Sequence, residues 1–453
     1  MGDIVLSIDI GTSKVCALAW DAANQRVLAV SSAENGADIA QPGAAGGHEQ
    51  DPTRILERCL DVAATVAASP HVDAARVSGI GFSGQMHGVL LADDSGAPVT
   101  PFYTWRDARV AEDDPILSHG DPAANGCGLH PGYGGVTLAW LARNGQTHPS
   151  ATALSIAGFV AARVGGAAAI DPTHAASWGI LDLRTGDWNT NQTTALGITP
   201  ANLPPLTDCA RPLGQLNADV ASRLGLRPDV QVCAPLGDNQ ASFIGVAGLG
   251  GKAAVLNLGT GGQLSVPTGS FAPRSGLETR PLPFGGYLLV GASLCGGWSY
   301  AYLCDFFRDT VHALTGNTPT REDVYARMNA WAGSETETGG LRCDTRFLGV
   351  RGVPGQRGAI HGINTVNLTP AKLTRAVLEG MVNELLDMMP REALGCLDSI
   401  LATGNAVRRN PVMQSLIESL SGKPCALAET QEEAAAGAAI ATAFGLSRRP
   451  LEA

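Results

Sequence analysis

Asp238 closes an apolar run (Val230, Val232, Ala234, Leu236) and a glycine, in the stretch APLGDNQAS over 234–242. The residues after it, Asn239-Gln240-Ala241-Ser242, read as a helix start. An acid at the tip of a strand where a helix begins is a helix cap or a catalytic group; it can be both. A second carboxylate, Asp9, sits in IDIGTS, beside the turn Gly11-Thr12-Ser13. Such a turn concentrates backbone N–H groups and hydroxyls, which suits phosphate oxygens. Asp9 then either caps the turn or reaches, directly or through water, a Mg²⁺ ion carrying those phosphates, since Mg²⁺ takes few carboxylates beside phosphate and water oxygens. A third constellation, GFSGQMHGVLLAD over 81–93, puts Gln85, Met86 and His87 just past a strand. Gln and His offer donors and acceptors to hydroxyls, and Met offers adaptable apolar surface. TWRDAR over 104–109 adds Trp105, Arg106 and Asp107, which alone would be a surface ion pair beside an aromatic.

The elements that must hold these groups are legible in part. IVLSIDI (4–10), VCALAWD and RVLAVSS (26–32) with tight turns between them predict a three-stranded meander. DPTRILERCLDVAATVAAS carries a start signal and a helical stripe of Ile55, Cys59, Val62 and Val66. RVSGIGFSG predicts a buried strand ending in glycines. The middle of the chain is rich in Gly, Pro and Asn and predicts loops around shorter helices such as GGVTLAWLARNG. Near residue 250 the opening pattern returns. In KAAVLNLGTGGQLSV, Leu258-Gly259-Thr260-Gly261 falls on Ile10-Gly11-Thr12-Ser13, and Asn257 falls on Asp9. The period is too long for a solenoid. It predicts one internal duplication, two lobes of like topology facing across a cleft, with two Gly-Thr turns able to clamp a polyphosphate from both sides.

The 453 residues suffice for two or three domains, and 45% apolar content supplies a sizeable core. A net charge of −11 argues against non-specific nucleic-acid binding. No apolar stretch is long enough for a membrane span, and the first residues carry acids and no basic region, unlike a signal peptide. Ten scattered cysteines without a CxxC pair read as reduced thiols of a cytoplasmic protein, not a disulfide framework or zinc site.

Taken in order, IDIGTS, GQMHG, TWRDAR, LGDNQAS, NLGTGG and GNAVRRNPVMQ resemble the successive motifs of the FGGY carbohydrate kinases, over nearly the whole chain. The resemblance implies an α/β, two-lobed fold of the actin-like ATPase and sugar kinase type, with duplicated RNase-H-like domains over residues 1–247 and 248–453. It implies ATP and Mg²⁺, with Asp238 as general base and Asp9 toward the metal. Gly11, Thr12, Ser13, Gly259, Thr260 and Gly261 would lie along the phosphates, and Gly404, Asn405 and Asn410 near the adenosine. Gln85, Met86, His87 and Trp105 would join Asp238 around the sugar. Two departures stand out. Cys16 occupies the place of a basic residue after the first turn, with Lys14 nearer the tip, and ATGNA keeps one glycine, Gly404, where the family carries a run. QMHG looks like the ketose kinases, where glycerol kinases carry charged groups. THAASWGILDLRTGDWN (173–189) and YGGVTLAWLARN (133–144) look most like the members that phosphorylate sedoheptulose, at its terminal hydroxyl. The alternatives are a xylulokinase-like pentulose kinase, a non-catalytic sugar sensor, and an ATP-driven chaperone or filament protein of the same superfold. A homodimer is one possible assembly, and neither nucleic acid nor membrane is an expected partner.

Overall fold

The structure is a computed structural model that describes residues 3–350, 355–429 and 432–447. In the first lobe, β1 (Ile4–Ile10) and β2 (Lys14–Asp21) form an antiparallel hairpin, and β3 (Arg26–Glu34) continues it. This is the expected meander. Helix α1 (Pro52–Ala67) follows, capped by Asp51, which accepts from Thr53 N at 2.9 Å. Its stripe of Ile55, Cys59, Val62 and Val66 is buried against the sheet. Strand β4 (Val77–Gly84) returns parallel to β1. Beyond it come helices α2 (Gly134–Arg143) and α3 (Pro172–Ser177), then strands β5 (Pro212–Gln215), β6 (Gln231–Cys233) and β7 (Leu236–Gly237), and helix α4 (Asp238–Ala247). The apolar run before Asp238 is therefore two strands, interrupted at Ala234 and Pro235; both pair with β4.

The second lobe repeats the plan. Strands β8 (Ala253–Leu258) and β9 (Gly262–Thr268) form the second hairpin; β10 (Glu278–Pro281) and β11 (Tyr287–Ser293) extend the sheet. Helices α5 (Gly296–Thr315) and α6 (Pro370–Met388) precede β12 (Ser399–Thr403), the short helix α7 (Asn405–Arg408), β13 (Cys425–Leu427) and the last helix α8 (Glu433–Ser447). The strand orders are β5-β6-β4-β1-β2-β3 and β13-β12-β8-β9-β11-β10. Five strands correspond one to one, with the same parallel and antiparallel pairings. Asp9 pairs with Ser83 of the parallel neighbour, and Asn257 pairs with Thr403 of its own. The likeness of the two hairpins thus extends to whole sheets.

Helix α8 packs on the first lobe, away from the sheet that precedes it. Ser7 Oγ donates to Ala435 O at 2.7 Å, and Val5, Cys16 and Leu18 pack with Ala435, Ala436 and Ala439. A division at 247/248 by chain order therefore differs from the division by packing. The reason is the small-residue face of α8, which fits closely over the glycines of β4 and against α4.

Candidate active site

The C-terminal edges of parallel strands gather functional groups in α/β folds. Asp9 is the last residue but one of β1 and sits beside Ser83 near the end of β4. Leu236 and Gly237 of β7 pair with Ser83 and Gly84. Asp238 follows at once. The two carboxylates consequently share one edge and face one cleft between the lobes, with a volume of about 1990 Å³. Met86, His87 and Trp105 line the same cleft. Gln85, the turns Gly11–Ser13 and Gly259–Gly261, and Gly404, Asn405 and Asn410 do not, though Asn257 and Thr403, just before the second-lobe segments, do.

Asp238 is the first residue of α4, and the cap is Gly237, with no side-chain cap bond. This corrects the capping alternative. Its carboxylate takes the neighbouring Asn239 N–H and otherwise faces the cleft, where burial raises its pKa and the charges of His174 and Arg280 pull it back down. Met86 presses against Gly237: a Cβ there would lie 2.8 Å from Met86 Sδ. Asp9 accepts from Ser83 Oγ at 2.5 Å. Burial pushes its pKa up to about 7, the Ser83 bond opposing and the Asp238 charge adding to the rise. A protonated or half-protonated carboxylate opening on a cleft is a poor anion by itself and a good one beside a cation. Among the described residues no group of three or more His, Cys, Asp or Glu could cage a metal. A single carboxylate with room for phosphate and water oxygens is the donor set Mg²⁺ favours, so the residues fit that ion.

The first turn is tied to the sugar-side motifs. Trp105 Nε1 donates to Thr12 Oγ1 at 2.8 Å, Thr12 donates to Gln85 Oε1 at 3.0 Å, and Gln85 Nε2 donates to Gln50 at 3.0 Å. Gln85, 2% exposed, is spent on this network and stands behind the cleft wall, where direct contact with a sugar was expected. Gln50 and Asn35 side chains take the carbonyls of Thr12 and Gly11, and Asn35 N takes that of Ser13. Lys14 pairs with Glu432 at 2.7 Å, across to the segment before α8. Cys16 is wholly buried, its thiol pushed up to about 12 by burial, so no charge stands at that place. The expected surface ion pair in TWRDAR is replaced by a buried one: Asp107 is taken by Arg109 at 2.7 Å, and Arg106 lies over the Trp105 ring.

Around the second turn, the carbonyls of Gly259 and Thr260 accept from Gly297 N and Trp298 N at the start of α5. Gly404, at φ 93°, caps α7, and a Cβ there would lie 2.7 Å from Asn257 Oδ1. Asn410 is buried; its Oδ1 accepts from Val412 N, and its side chain lies toward the Tyr300 hydroxyl, with Nδ2 in no hydrogen bond of good geometry.

On the far wall the structure adds Tyr133, Glu278 and Arg280 to His87. His87, at φ 73°, donates its backbone N–H to Ser177 Oγ at 2.9 Å and places Nδ1 2.8 Å from Ser177 O. A carbonyl only accepts, so Nδ1 carries a proton. The ring stacks on Tyr133 at 4.2 Å. Tyr133 OH donates to Glu278 Oε1 at 3.3 Å, and Arg280 holds Glu278 Oε2 at 2.8 and 3.0 Å. Glu278 and Arg280 come from β10 of the second lobe, docked on the first by Thr279 N donating to Gly126 O. Nothing in GLETRPLP marks them: they lie beside Asp238 only through the docking of the two lobes.

Known proteins share the two-domain chain and its fold. The N-terminal domain of the FGGY family of carbohydrate kinases matches residues 4–245, and its C-terminal domain matches residues 254–446. Sedoheptulokinase of Mus musculus is 29% identical over 96% of each chain. A xylulose kinase of Staphylococcus epidermidis is 26% identical over 98% of this chain and 88% of its own. The crystal structure of xylulose kinase from Rhodospirillum rubrum superposes with a TM-score of 0.83 at 22% identity, covering 99% of this chain and 91% of that one. No helix among the described residues is long and apolar enough to cross a membrane. With both domains matched in order over the two lobes, the chain belongs to the FGGY family of carbohydrate kinases, enzymes that phosphorylate sugars with ATP.

Proposed function

We propose that this kinase transfers the γ-phosphoryl group of ATP to the terminal hydroxyl of a ketose, and that the ketose is sedoheptulose, giving sedoheptulose 7-phosphate. The observation that carries the kinase chemistry is the uncapped carboxylate of Asp238 at the edge it shares with Asp9. Asp238 accepts the hydroxyl proton; the sugar oxygen bonds to the γ-phosphorus as the bond from that phosphorus to the bridging oxygen breaks, and ADP leaves. Asp9 would hold Mg²⁺, which when bound neutralises charge on the phosphates. The two Gly-Thr turns, with most of their carbonyls engaged by the protein, would lie along the phosphates, and the Gly404–Asn410 segment would meet the adenosine. Met86, His87 and Trp105 would face the sugar, with Gln85 bracing Thr12, which accepts the Trp105 indole N–H. Catalysis is then mainly positioning and charge neutralisation.

Sedoheptulose is supported by QMHG, by AASWG, and by likeness to a sedoheptulokinase along the full chain. The polar wall running from His87 through Tyr133 and Glu278 to Arg280 supplies partners for a long polyol chain. A shorter sugar would reach fewer of these groups. Coupled ADP-release assays over ketoses, polyols and aldoses test this. We expect kcat/KM for sedoheptulose to exceed that for D-xylulose or D-ribulose by about tenfold or more, a lost hydrogen bond being worth roughly 0.5–1.5 kcal/mol. A preference for D-xylulose overturns the heptulose and leaves a pentulose kinase; activity on glycerol alone overturns both.

A further inference from the structure

The buried pair Asp171–His174 has no part in the chemistry above. Asp171 caps α3 through Oδ1, which accepts from Thr173 N at 2.9 Å and His174 N at 3.2 Å; its Oδ2 takes His174 Nδ1 at 2.6 Å. Both side chains are at most 1% exposed. The Thr173 hydroxyl donates to Asp171 and accepts from Gly237 N at 2.7 Å. Gly237 is the residue before Asp238. One short helix therefore grips the backbone from which Asp238 projects. It also sets an imidazole within the electrostatic field of that carboxylate. His174 Nε2 is buried, lies toward the Gly84 carbonyl, and makes no hydrogen bond of good geometry.

We propose that Asp171 and His174 form a positioning unit for Asp238: the Asp171–Thr173–Gly237 chain fixes where the base stands, and His174 supplies a buried counter-charge to it. This rests on the reading of Asp238 as the base. The chemistry needs such a counter-charge. Asp238 must be ionised to take the hydroxyl proton, and burial works against ionisation. Burial also opposes charge on His174, but Asp171, and then Asp238, outweigh it and raise its pKa. His174 takes no proton in the transfer; it is a fixed cation between two acids. The groups that face Asp238 are His174 from α3, Arg280 from β10 with its partner Glu278, and Asp9 from β1. Those around His174 are Asp171, Asp238 and the Gly84 carbonyl, with Cys209 Sγ donating to Asp171.

His174→Asn and His174→Gln remove the cation and keep a polar group facing Asp171. At saturating MgATP and sugar we expect kcat to fall about tenfold, with both KM values within about twofold of wild type. The acid limb of the kcat–pH profile should move up by about one pH unit, because Asp238 loses an opposite charge. An unmoved limb, or an unchanged kcat, overturns the proposal. Asp238→Asn assayed in parallel separates the two readings: if that variant stays active, the base assignment fails, whatever His174 does. Should both His174 variants fail to fold, the wild-type enzyme decides. Imidazole ¹⁵N spectra of its nine histidines should show one ring that stays protonated on both nitrogens at a pH where the other rings have lost a proton; no such ring overturns the proposal.

Discussion

At the scale of single residues, two acids on one edge have opposite needs. Asp238 must be ionised in a buried site, and His174 and Arg280 act in that direction. Asp238→Asn keeps size and polarity but cannot take a proton. We expect kcat to fall roughly 10²–10⁴-fold, with sugar and MgATP binding by calorimetry near wild type; turnover within a few-fold of wild type would refute the base. Asp9 is the reverse case: alone it stays protonated up to about pH 7. The folded state therefore binds a proton that the unfolded chain has lost above the ordinary carboxylate range. Stability from this group is present below that range and declines as pH rises through about 7. Asp9→Asn should raise Tm at pH 8 more than at pH 5.5, while abolishing productive MgATP use and sparing sugar binding. Equal shifts at both pH values, by scanning calorimetry, would contradict the assignment.

At the scale of elements, the second Gly-Thr turn and the start of α5 are packed as one piece. Ala is ordinarily the better helix former, and replacing a helical Gly with it gains about 1 kcal/mol. At Gly297 the gain is reversed, because a Cβ would stand 2.6 Å from Gly259 O and 3.1 Å from Ala406 Cβ. Gly297→Ala should push α5 off the turn and open the space between the turn and α7. We expect KM for ATP to rise about tenfold, roughly 1.4 kcal/mol, with the sugar Kd unchanged. Weakened sugar binding with normal ATP kinetics would place the nucleotide elsewhere. The first turn is braced differently, by Asn35, Gln50 and Trp105 side chains, so its geometry depends on residues distant in sequence.

At the scale of the whole molecule, the chain passes between the lobes after α4 and before α8, and these two helices lie against each other. A Cβ on Gly437 would collide with Ala241 O, and one on Gly245 with Glu433 O. This close crossing beneath the cleft is a natural axis for closure, which would exclude water and limit wasteful ATP hydrolysis. Small-angle scattering with sugar and a non-hydrolysable nucleotide should show a smaller radius of gyration than the free enzyme. No change would count against closure. Beside the kinase assignment, a chaperone or filament role finds no support: the sugar-side motifs and a carbohydrate-kinase match in both domains point one way.

The sequence by itself determined what is local. Both hairpins, α1 with its cap and stripe, and the two acids at strand ends were legible because turns, alternation and helical spacing act within a dozen residues. The duplication was legible because Gly-Thr turns repeat with their flanking strands. The ordered motifs carried the family. Tertiary structure alone decided the rest. Whether Asp238 caps or faces the cleft depended on which residue ended β7, a matter of register against β4. Gln85 went behind the wall because Thr12 and Gln50 reach it there. Tyr133, Arg280 and His174 come from segments far apart in the chain and meet only through sheet order and lobe docking. Helix α8 returned to the first lobe because its small side chains fit the glycines of β4 and α4, a complementarity between surfaces that no single stretch displays.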